Sequence, residues 1–556
     1  MKPVIVLILV TSILITASTT VAQTPTHLWS QGFGGTGIDA GYSVAADDSG
    51  NVFMTGYFRG TVDFGGGDLV GAGERDIVVA KYSPTGAHLW SQRFGGLGVE
   101  EPRSVAVDPS GNVILTGKFE GTVDFGGGDL VATGFHDIFL AKYDPTGTHL
   151  WSQRFGGTGA AKAESVALDD SGNVFITGDF TETVDFGGGN RVSAGSNDIF
   201  VAKYSPTGAH LWSHRFGTTF IDLGLAVATD DSGNVFMTGA FIGDVNFGGG
   251  VLSSVGFATD IVVAKYSPTG SHVWSQNFGN MDWEASRSLA TDASGNVFMM
   301  GAFRGTVDFG GGDLVSDGPE NDIVVAKYDP AGTHLWSQRF GNSSEEALGS
   351  VATDVSGNVF MTGAFVDTVD FGGGNLPSAG GQDMFVAKYS PTGAHLWSER
   401  YGSTDPEGGR WAAIDDTGNV FIMGNFSGTT DLGGGNLVSA GSSDMFIMKL
   451  GLDTASGVGD MPQSYVLSVS NFPNPFNPST TITYTVPTRG NVTVAIFDAR
   501  GARVTTLINS KSVDAGAYRT EWAGRTDGGA VVSSGVYFAR IEFDGTAHTQ
   551  KMVLLK

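Results

Sequence analysis

One phrase recurs seven times along this chain and limits what it can fold into. His-Leu-Trp or His-Val-Trp places tryptophan at Trp29, Trp90, Trp151, Trp212, Trp274, Trp336 and Trp397, at spacings of 61, 61, 61, 62, 62 and 61 residues. A period of that length, filled with short apolar runs and turn residues, marks a repeat architecture whose units bury their cores against their neighbours. In the second unit four runs read as strands: Ser104 to Asp108, Val113 to Phe119, Ile138 to Tyr143 and His149 to Phe155. They are rich in Val, Ile, Phe, Tyr and Trp and are bounded by Gly, Pro, Asn and Ser. Short turns at Pro109-Ser110-Gly111-Asn112 and Pro145-Thr146-Gly147 join the first pair and the last pair, while a Gly-rich excursion from Gly121 to Gly128 separates the middle two. No part of the unit has helical periodicity.

Four antiparallel strands per unit, here A to D, and seven units predict an all-β chain built as a seven-bladed β-propeller. The ends of the array agree. It begins with a lone D strand, His27 to Phe33, and ends with a C strand, Met445 to Leu450, that has no D strand after it. If the first strand completes the last blade, the ring closes and no sheet edge is left open.

The chain has 556 residues, no cysteine and a formal charge of −26, which disfavours binding to nucleic acid. Residues 467–556 hold nine Lys/Arg against six Asp/Glu, a surplus of +3, so the remainder carries −29. At the N-terminus Lys2, the apolar run Val4 to Ile15 and Thr20-Val21-Ala22 read as a secretory signal over residues 1–22, leaving Gln23 as the mature start. No later segment reaches spanning length, so no transmembrane segment is expected after cleavage. The propeller is expected over 23–450, a polar linker over 451–466 and a second module over 467–556. In that module about six short strands suggest a small β-sandwich.

The repeat resembles the SBBP-type propeller repeats of secreted bacterial proteins. The residues that carry the likeness are Ser-Val-Ala-x-Asp-x-Ser-Gly-Asn-Val, Asp-Ile-Val-x-Ala-Lys-Tyr and Pro-Thr-Gly-x-His-Leu-Trp. That likeness implies the fold and export, and no single activity. The last module resembles the C-terminal sorting domain of the type IX secretion system and is similar to the Ig-like domain of flagellar hook-capping proteins. The matching pieces are Asn474-Pro475-Phe476-Asn477-Pro478-Ser479-Thr480, Ile496-Phe497-Asp498, Ser534-Gly535-Val536-Tyr537-Phe538 and the tail Lys551, Met552, Val553, Leu554, Leu555 and Lys556. This resemblance implies the type IX machinery as partner, the tail as sorting signal, and release from or display on the outer-membrane surface of a Gram-negative-type bacterium.

Chemistry is harder to read. Asp39, Glu100, Asp222, Glu284, Glu346 and Glu407 precede strand A in six units, and Ala161, with Glu164 nearby, stands in the seventh. These acids and the Gly-rich excursions are expected on one face of the ring, near the channel mouth. Each acid is expected to bind backbone N–H groups of its own turn, with Ca²⁺ or a cationic ligand as the alternative. No other cofactor is expected. Two further sets, Asp63 with its six equivalents and Asp76 with its six, are expected to cap turns. The histidines beside each tryptophan are separated by whole blades and cannot share a metal. Gly32-x-Gly34-x-x-Gly37 matches a dinucleotide fingerprint in letters only, because no helix follows. The leading expectation is a non-enzymatic module that binds an extracellular glycan or protein. An alternative is a polysaccharide lyase or hydrolase using Glu100, Glu284 and Glu407 with Arg103, Arg287 and Arg410. A third is a structural surface-layer component.

Overall fold

The computed structural model describes residues 25–452 except 345, and residues 468–555 except 473, 475, 487–488, 514–515 and 544–545. The expected signal segment and most of the expected linker lie outside the described residues. The chain divides into two compact units near residue 454.

The first unit contains seven four-stranded antiparallel sheets, each in the order A-B-C-D. In the second repeat the strands are Glu101–Val107, Val113–Phe119, Asp137–Tyr143 and His149–Phe155. The A strands touch one another in sequence, from Ala40–Ala46 through Glu101–Val107, Ala161–Leu168, Leu223–Thr229, Ala285–Thr291 and Ala347–Thr353 to Glu407–Ile414, which returns to Ala40–Ala46. Strand A is therefore innermost and lines the axis. Adjacent A strands are tied directly, as where Val105 N–H donates to Ser43 Oγ at 3.2 Å. The last sheet is completed by Pro25–Phe33, which pairs antiparallel with Asp444–Leu452, Phe33 opposite Met445. The expected propeller and its closure by the first strand are both present.

Burial follows position in the blade. Strands B and C are buried along their whole length, as in Val52–Phe58 and Asp76–Tyr82, because each blade is sandwiched between two others. Strands A and D have one face each in contact with solvent. Each B strand carries a glycine where the preceding A strand bulges across it. At Gly117 an added Cβ would lie 2.1 Å from Glu101 O, so only glycine admits the bulge.

The Gly-rich excursions depart from expectation. All seven form two-stranded hairpins, such as Thr122–Asp124 with Asp129–Val131. They do not crowd the channel mouth. They fold back over the outer edge of their own blade and rest on strand D. Val62 and Phe64 of the first hairpin are buried, and Tyr82 Oη donates to Phe64 O at 2.9 Å. A Cβ on Gly66 would lie 2.4 Å from His88 Cε1, so the glycine run exists to let the histidine ring lie across it. Six hairpin tips are closed by their own aspartate, as Asp63 Oδ1 accepts from Gly65 N and Gly67 N at 2.7 and 2.9 Å, and the seventh by Asn246 Oδ1. The repeated histidine packs edge-on against the tyrosine ending strand C, 5.8 Å between centroids for His88 and Tyr82.

The blades are pinned to one another by a second repeated set. The lysine after strand C's alanine or methionine is buried and paired with the aspartate of its own blade's A–B turn; in six blades it lies over a phenylalanine ring, and in six it donates to a proline carbonyl of the next blade. For Lys327 the partners are Asp292 Oδ2 at 3.0 Å, Pro391 O at 3.1 Å and the Phe298 ring at 4.6 Å. The tryptophan of strand D donates to the same carbonyl, as Trp336 Nε1 to Pro391 O at 3.1 Å. The glutamine two residues on reaches the next glycine carbonyl, as Gln153 Nε2 to Gly208 O at 2.8 Å. Lys449 ties the last blade to the first through Pro84 O, while among the described residues Lys388 and Trp397 make no such bond to the closing blade.

The second unit consists of a three-stranded sheet, Ser468–Phe472, Thr480–Val486 and Gly516–Trp522, and a four-stranded sheet in the order Arg503–Val513, Gly490–Asp498, Gly535–Phe543, Thr546–Leu554. Ile482, Val494, Ile496, Trp522, Ile541 and Leu554 share one core. Ser468–Phe472 is a strand beyond the six expected. Its residues are Ser, Val, Ser, Asn and Phe, too polar for an apolar run to reveal it.

Candidate functional site

The six acids before strand A are each engaged within their own blade. Asp39 accepts from Gly35 N at 2.6 Å and Arg59 N at 2.9 Å, and Asp222 from Thr218 N and Ile242 N at 2.6 and 3.0 Å. Glu100 accepts from Gly96 N, Glu284 from Asn280 N, Glu346 from Asn342 N and Glu407 from Ser403 N, at 3.1, 3.1, 3.3 and 2.9 Å. Where Ala161 stands, Thr181 Oγ1 supplies the acceptor, to Ala160 N at 2.8 Å. Burial and the neighbouring strand-C aspartates push Glu100 up to about 7 and Glu284 and Glu346 up to about 8. Among the described residues no three of His, Cys, Asp and Glu gather as a metal-ligand group.

A different position breaks the repeat. The residue two before the buried Val, Leu or Ala of strand A is Tyr42, Arg103, Glu164, Leu225, Arg287, Gly349 and Arg410 in turn around the axis. Seven near-identical blades thus present seven mostly different side chains to one small space. Arg103 and Arg410 flank the Tyr42 ring, their guanidinium carbons 5.1 and 5.7 Å from its centroid. Arg103 Nη2 pairs with Glu101 Oε2 at 3.0 Å, and its Nε lies 3.7 Å from Glu164 Oε2. Lys162 Nζ bridges Glu164 Oε1 at 2.8 Å and Asp179 Oδ1 at 3.2 Å. Among the described residues neither Arg287 nor Arg410 has a carboxylate within ion-pair distance, and Arg287 Nε is buried with no hydrogen-bond partner. Burial lowers the Arg287 pKa, and the Arg410 charge beside it lowers it further. Arg103 differs. Burial works against its charge, but Glu164 and then Tyr42 hold its pKa above the ordinary arginine value.

Between Arg287 and Arg410 in this order stands Gly349, whose place admits no side chain, because an added Cβ would lie 2.4 Å from Thr362 O and 2.7 Å from Gly409 O. A cavity of about 480 Å³ lies beside the two arginines at the D–A end of the axis. Its lining includes both arginines, Trp283, Asn321, Gln382 and Asn425. Trp283 is 47% exposed at the rim, beside exposed Met281 of the same loop. Two more exposed aromatics on these loops, Phe220 and Phe257, lie 6.4 Å apart edge to face.

The sequence pairing of Glu100, Glu284 and Glu407 with the three arginines is only partly met. The arginines converge. Glu407 and Glu346 border the cavity, but Glu100 and Glu284 do not line it. The carboxylate that reaches the arginine cluster is Glu164, which sequence reading treated as a substitute for the loop acid missing at Ala161. The signal that finds this site is the variable letter inside an otherwise repeated Ser-Val-Ala phrase.

The tail residues split by role. Met552 and Leu554 are buried in the core of the small module, while Lys551 and Leu555 are exposed; Lys556 lies outside the described residues. Asn474 clamps the last strand, its Nδ2 donating to Lys551 O at 2.9 Å and its Oδ1 accepting from Val553 N at 2.8 Å. Phe476 N–H donates to Val553 O, and Leu555 N–H to Phe476 O, at 2.9 and 3.0 Å. The Asn-Pro-Phe-Asn motif therefore holds the C-terminal strand in place.

Residues 470–555 match the secretion system C-terminal sorting domain family. The tail is a type IX sorting domain. Residues 150–179 match the SBBP beta-propeller repeat. The propeller is thus the passenger, and the sorting domain directs it through the type IX system to the bacterial cell surface or outer membrane. An uncharacterised WD repeat-containing protein of Acanthamoeba polyphaga mimivirus is 23% identical over 441 residues, covering 62% of this chain and 32% of the viral protein. A regulatory protein, FlaEY, of Caulobacter vibrioides is 22% identical over 362 residues, covering 59% of this chain and 37% of its own. The chain spans about a third of the length of these curated relatives. Among solved structures, a puromycin hydrolase aligns over 81% of this chain and 59% of its own at 11% identity, TM-score 0.36. PorZ, a surface component of the type IX secretion system of Porphyromonas gingivalis, aligns over 95% of this chain and 100% of its own at 10% identity, TM-score 0.16. Likeness at that level says nothing about activity.

Proposed function

We propose that the exported propeller is a binding protein that recognises an extracellular glycan or protein at the D–A mouth of its axis. The supporting observation is the loss of repeat symmetry on the innermost strand. Positions that only hold the ring together are the same in nearly every blade, and recognition of one ligand needs unlike groups. The cavity beside Trp283, Arg287 and Arg410 has the size of a small-molecule site and mixes an aromatic face with amides and charge. Exposed Met281, on the same loop as Trp283, adds apolar area. The test is binding of the purified chain to arrays of extracellular glycans and surface proteins, beside Trp283→Ala and Arg410→Ala. The expected result is a bound ligand whose signal falls at least tenfold in both variants while the melting temperature holds. A ligand insensitive to both substitutions would move the binding surface elsewhere and defeat this reading.

A further inference from the structure

The geometry points to a carboxylate-bearing sugar, a uronate residue of an acidic glycan, as what the axial cavity takes, with Arg287 and Arg410 gripping the carboxylate. This rests on the reading of the mouth as a binding site and names its ligand class.

Charge comes first. Arg75, Arg103, Lys118, Lys162, Arg287 and Arg410 cluster with Glu101, Glu164 and Asp179, six cations against three anions. Cations thus outnumber their paired carboxylates here, inside a chain of net −26. The internal pairs account for Arg75, Arg103, Lys118 and Lys162, each of which contacts a carboxylate. The surplus is carried by the other two. Arg287 and Arg410 are neighbours in charge, separated by the blade whose equivalent residue is Gly349, and among the described residues neither has a carboxylate within ion-pair distance, Glu164 acting on Arg287 only from farther off. Two like charges held together out of bulk water, one with a buried unbonded Nε, are an arrangement that an incoming anion stabilises.

Shape and chemistry then select the anion. A guanidinium is a planar fork that matches a carboxylate through two parallel N–H···O bonds. The remaining cavity wall is not basic, and its two acids, Glu346 and Glu407, are turned to the backbone N–H groups of Asn342 and Ser403 in their own loops. Asn321, Gln382 and Asn425 each carry both donors and an acceptor, which suits hydroxyl groups. Asn425 Oδ1 already accepts from Gly41 N at 2.8 Å, which fixes its amide and leaves its NH₂ for the cavity. Trp283 offers a half-exposed flat apolar face at the rim, where a sugar ring can lie. A bare phosphate or sulfate would use the arginines alone and leave the amides and the indole without a role.

The experiment is isothermal titration of the full mature chain with tetrasaccharides of galacturonate, glucuronate and mannuronate, each beside its methyl ester. The ester keeps the shape and removes the charge. At least one acid should bind, its ester at least tenfold more weakly. Arg287→Gln and Arg410→Gln should each cost at least tenfold with unchanged melting, and Arg287→Lys, which keeps charge but loses the fork, should cost several-fold. If the variants fail to fold, the acid and ester comparison on the unaltered chain still decides. Equal binding of acid and ester would overturn the inference. So would binding of neutral glycans alone, which would leave the mouth standing as a binding site. Binding of no saccharide and no surface protein would end both readings.

Discussion

The outer blade and the inner strand of this propeller were built under opposite demands. On the outer side, Lys327 and its six equivalents each pair with the aspartate of the A–B turn, and the hairpins close on aspartate in six blades and Asn246 in the seventh, each against its histidine. On the inner side, the equivalent residues are Tyr42, Arg103, Glu164, Leu225, Arg287, Gly349 and Arg410. A contact needed by every blade is written seven times. A group needed once is written once. Stability therefore resides in the repeated letters and specificity in the variable ones, and each side of that division can be tested separately.

The largest effect should come from the one strand that cannot be replaced by its repeats. Removal of residues 25–33 leaves Asp444–Leu452 with an unpaired edge and takes Phe33 out of the core it shares with Tyr82, 5.5 Å away. Lys449 and Trp29 both hold the first blade through Pro84 O, so half of that tie goes as well. Thermal melting by circular dichroism should show loss of the cooperative transition. An unchanged transition would mean that the ring does not depend on closure.

Next in size are the buried lysines. Lys327→Ala strands Asp292 without its cation and should cost about 3–5 kcal/mol. Lys265→Ala, with the same partners at 3.2 Å to Asp230 and 3.2 Å to Pro330 O, should cost the same within about 1 kcal/mol. By contrast Arg287→Gln should leave stability unchanged or raise it, because it relieves repulsion from Arg410. Denaturant midpoints of the three variants give the comparison. A costly Arg287→Gln would place structural work on the variable ring and break the division.

Acidity probes the loop acids. Glu284 and Glu346 hold their protons up to about pH 8 in the fold, against 4.5 for a free glutamate, because they are buried beside Asp260 and Asp322. Between those limits the folded chain binds more protons than the unfolded one, so these sites lower stability as pH rises and the loss is complete above about pH 8. Asp108 and Asp292 work the other way. Burial raises them, but Lys and Asn hydrogen bonds hold both below the ordinary value, so their contribution fades only as pH falls through that lowered range. Melting temperature should fall by several degrees from about pH 5.5 to about pH 8.5, and Glu284→Gln should flatten part of that slope. A slope unaffected by Glu284→Gln would assign the pH dependence elsewhere.

The fold was legible because repetition makes each strand visible seven times and because the lone D strand at one end matches the missing one at the other. The hairpins were not, since Asp-Phe-Gly-Gly-Gly reads as a loop until His88 is seen lying against Gly66. The site was half legible. Arg103, Arg287 and Arg410 stood out as residues of only three blades, but the carboxylate that pairs with Arg103 is Glu164, which lies three residues after the Ala161 position and so faces the axis instead of the loop. Counting from the loop acid gave one register, and the A-strand bulge shifts the strand into another.

The smallest effect lies at the seam, where the repeat runs out. In five blades the residue two after the tryptophan is glutamine, and in one it is His214, which likewise reaches a glycine carbonyl, Gly270 O at 2.7 Å. The remaining blade has Glu399. Its neighbour is the closing blade, whose C and D strands come from opposite ends of the chain and share no Pro-Thr-Gly turn. Among the described residues no glycine carbonyl is bonded by a side chain of this strand, and Trp397 Nε1 likewise has no partner. Glu399 therefore makes no bond that glutamine would lose, while burial raises its pKa. Gln153→Glu should cost about 1 kcal/mol through loss of the bond to Gly208 O, and the reverse change Glu399→Gln should be neutral or slightly stabilising near pH 7.5. Because the folded pKa of Glu399 is raised, any gain from glutamine belongs to the charged form and should disappear toward about pH 4.5, where folded and unfolded chains both carry the proton. Equal costs for the two substitutions at both pH values would mean that the seam blade is bonded like the others, and the closing strand would have to supply a turn the sequence lacks.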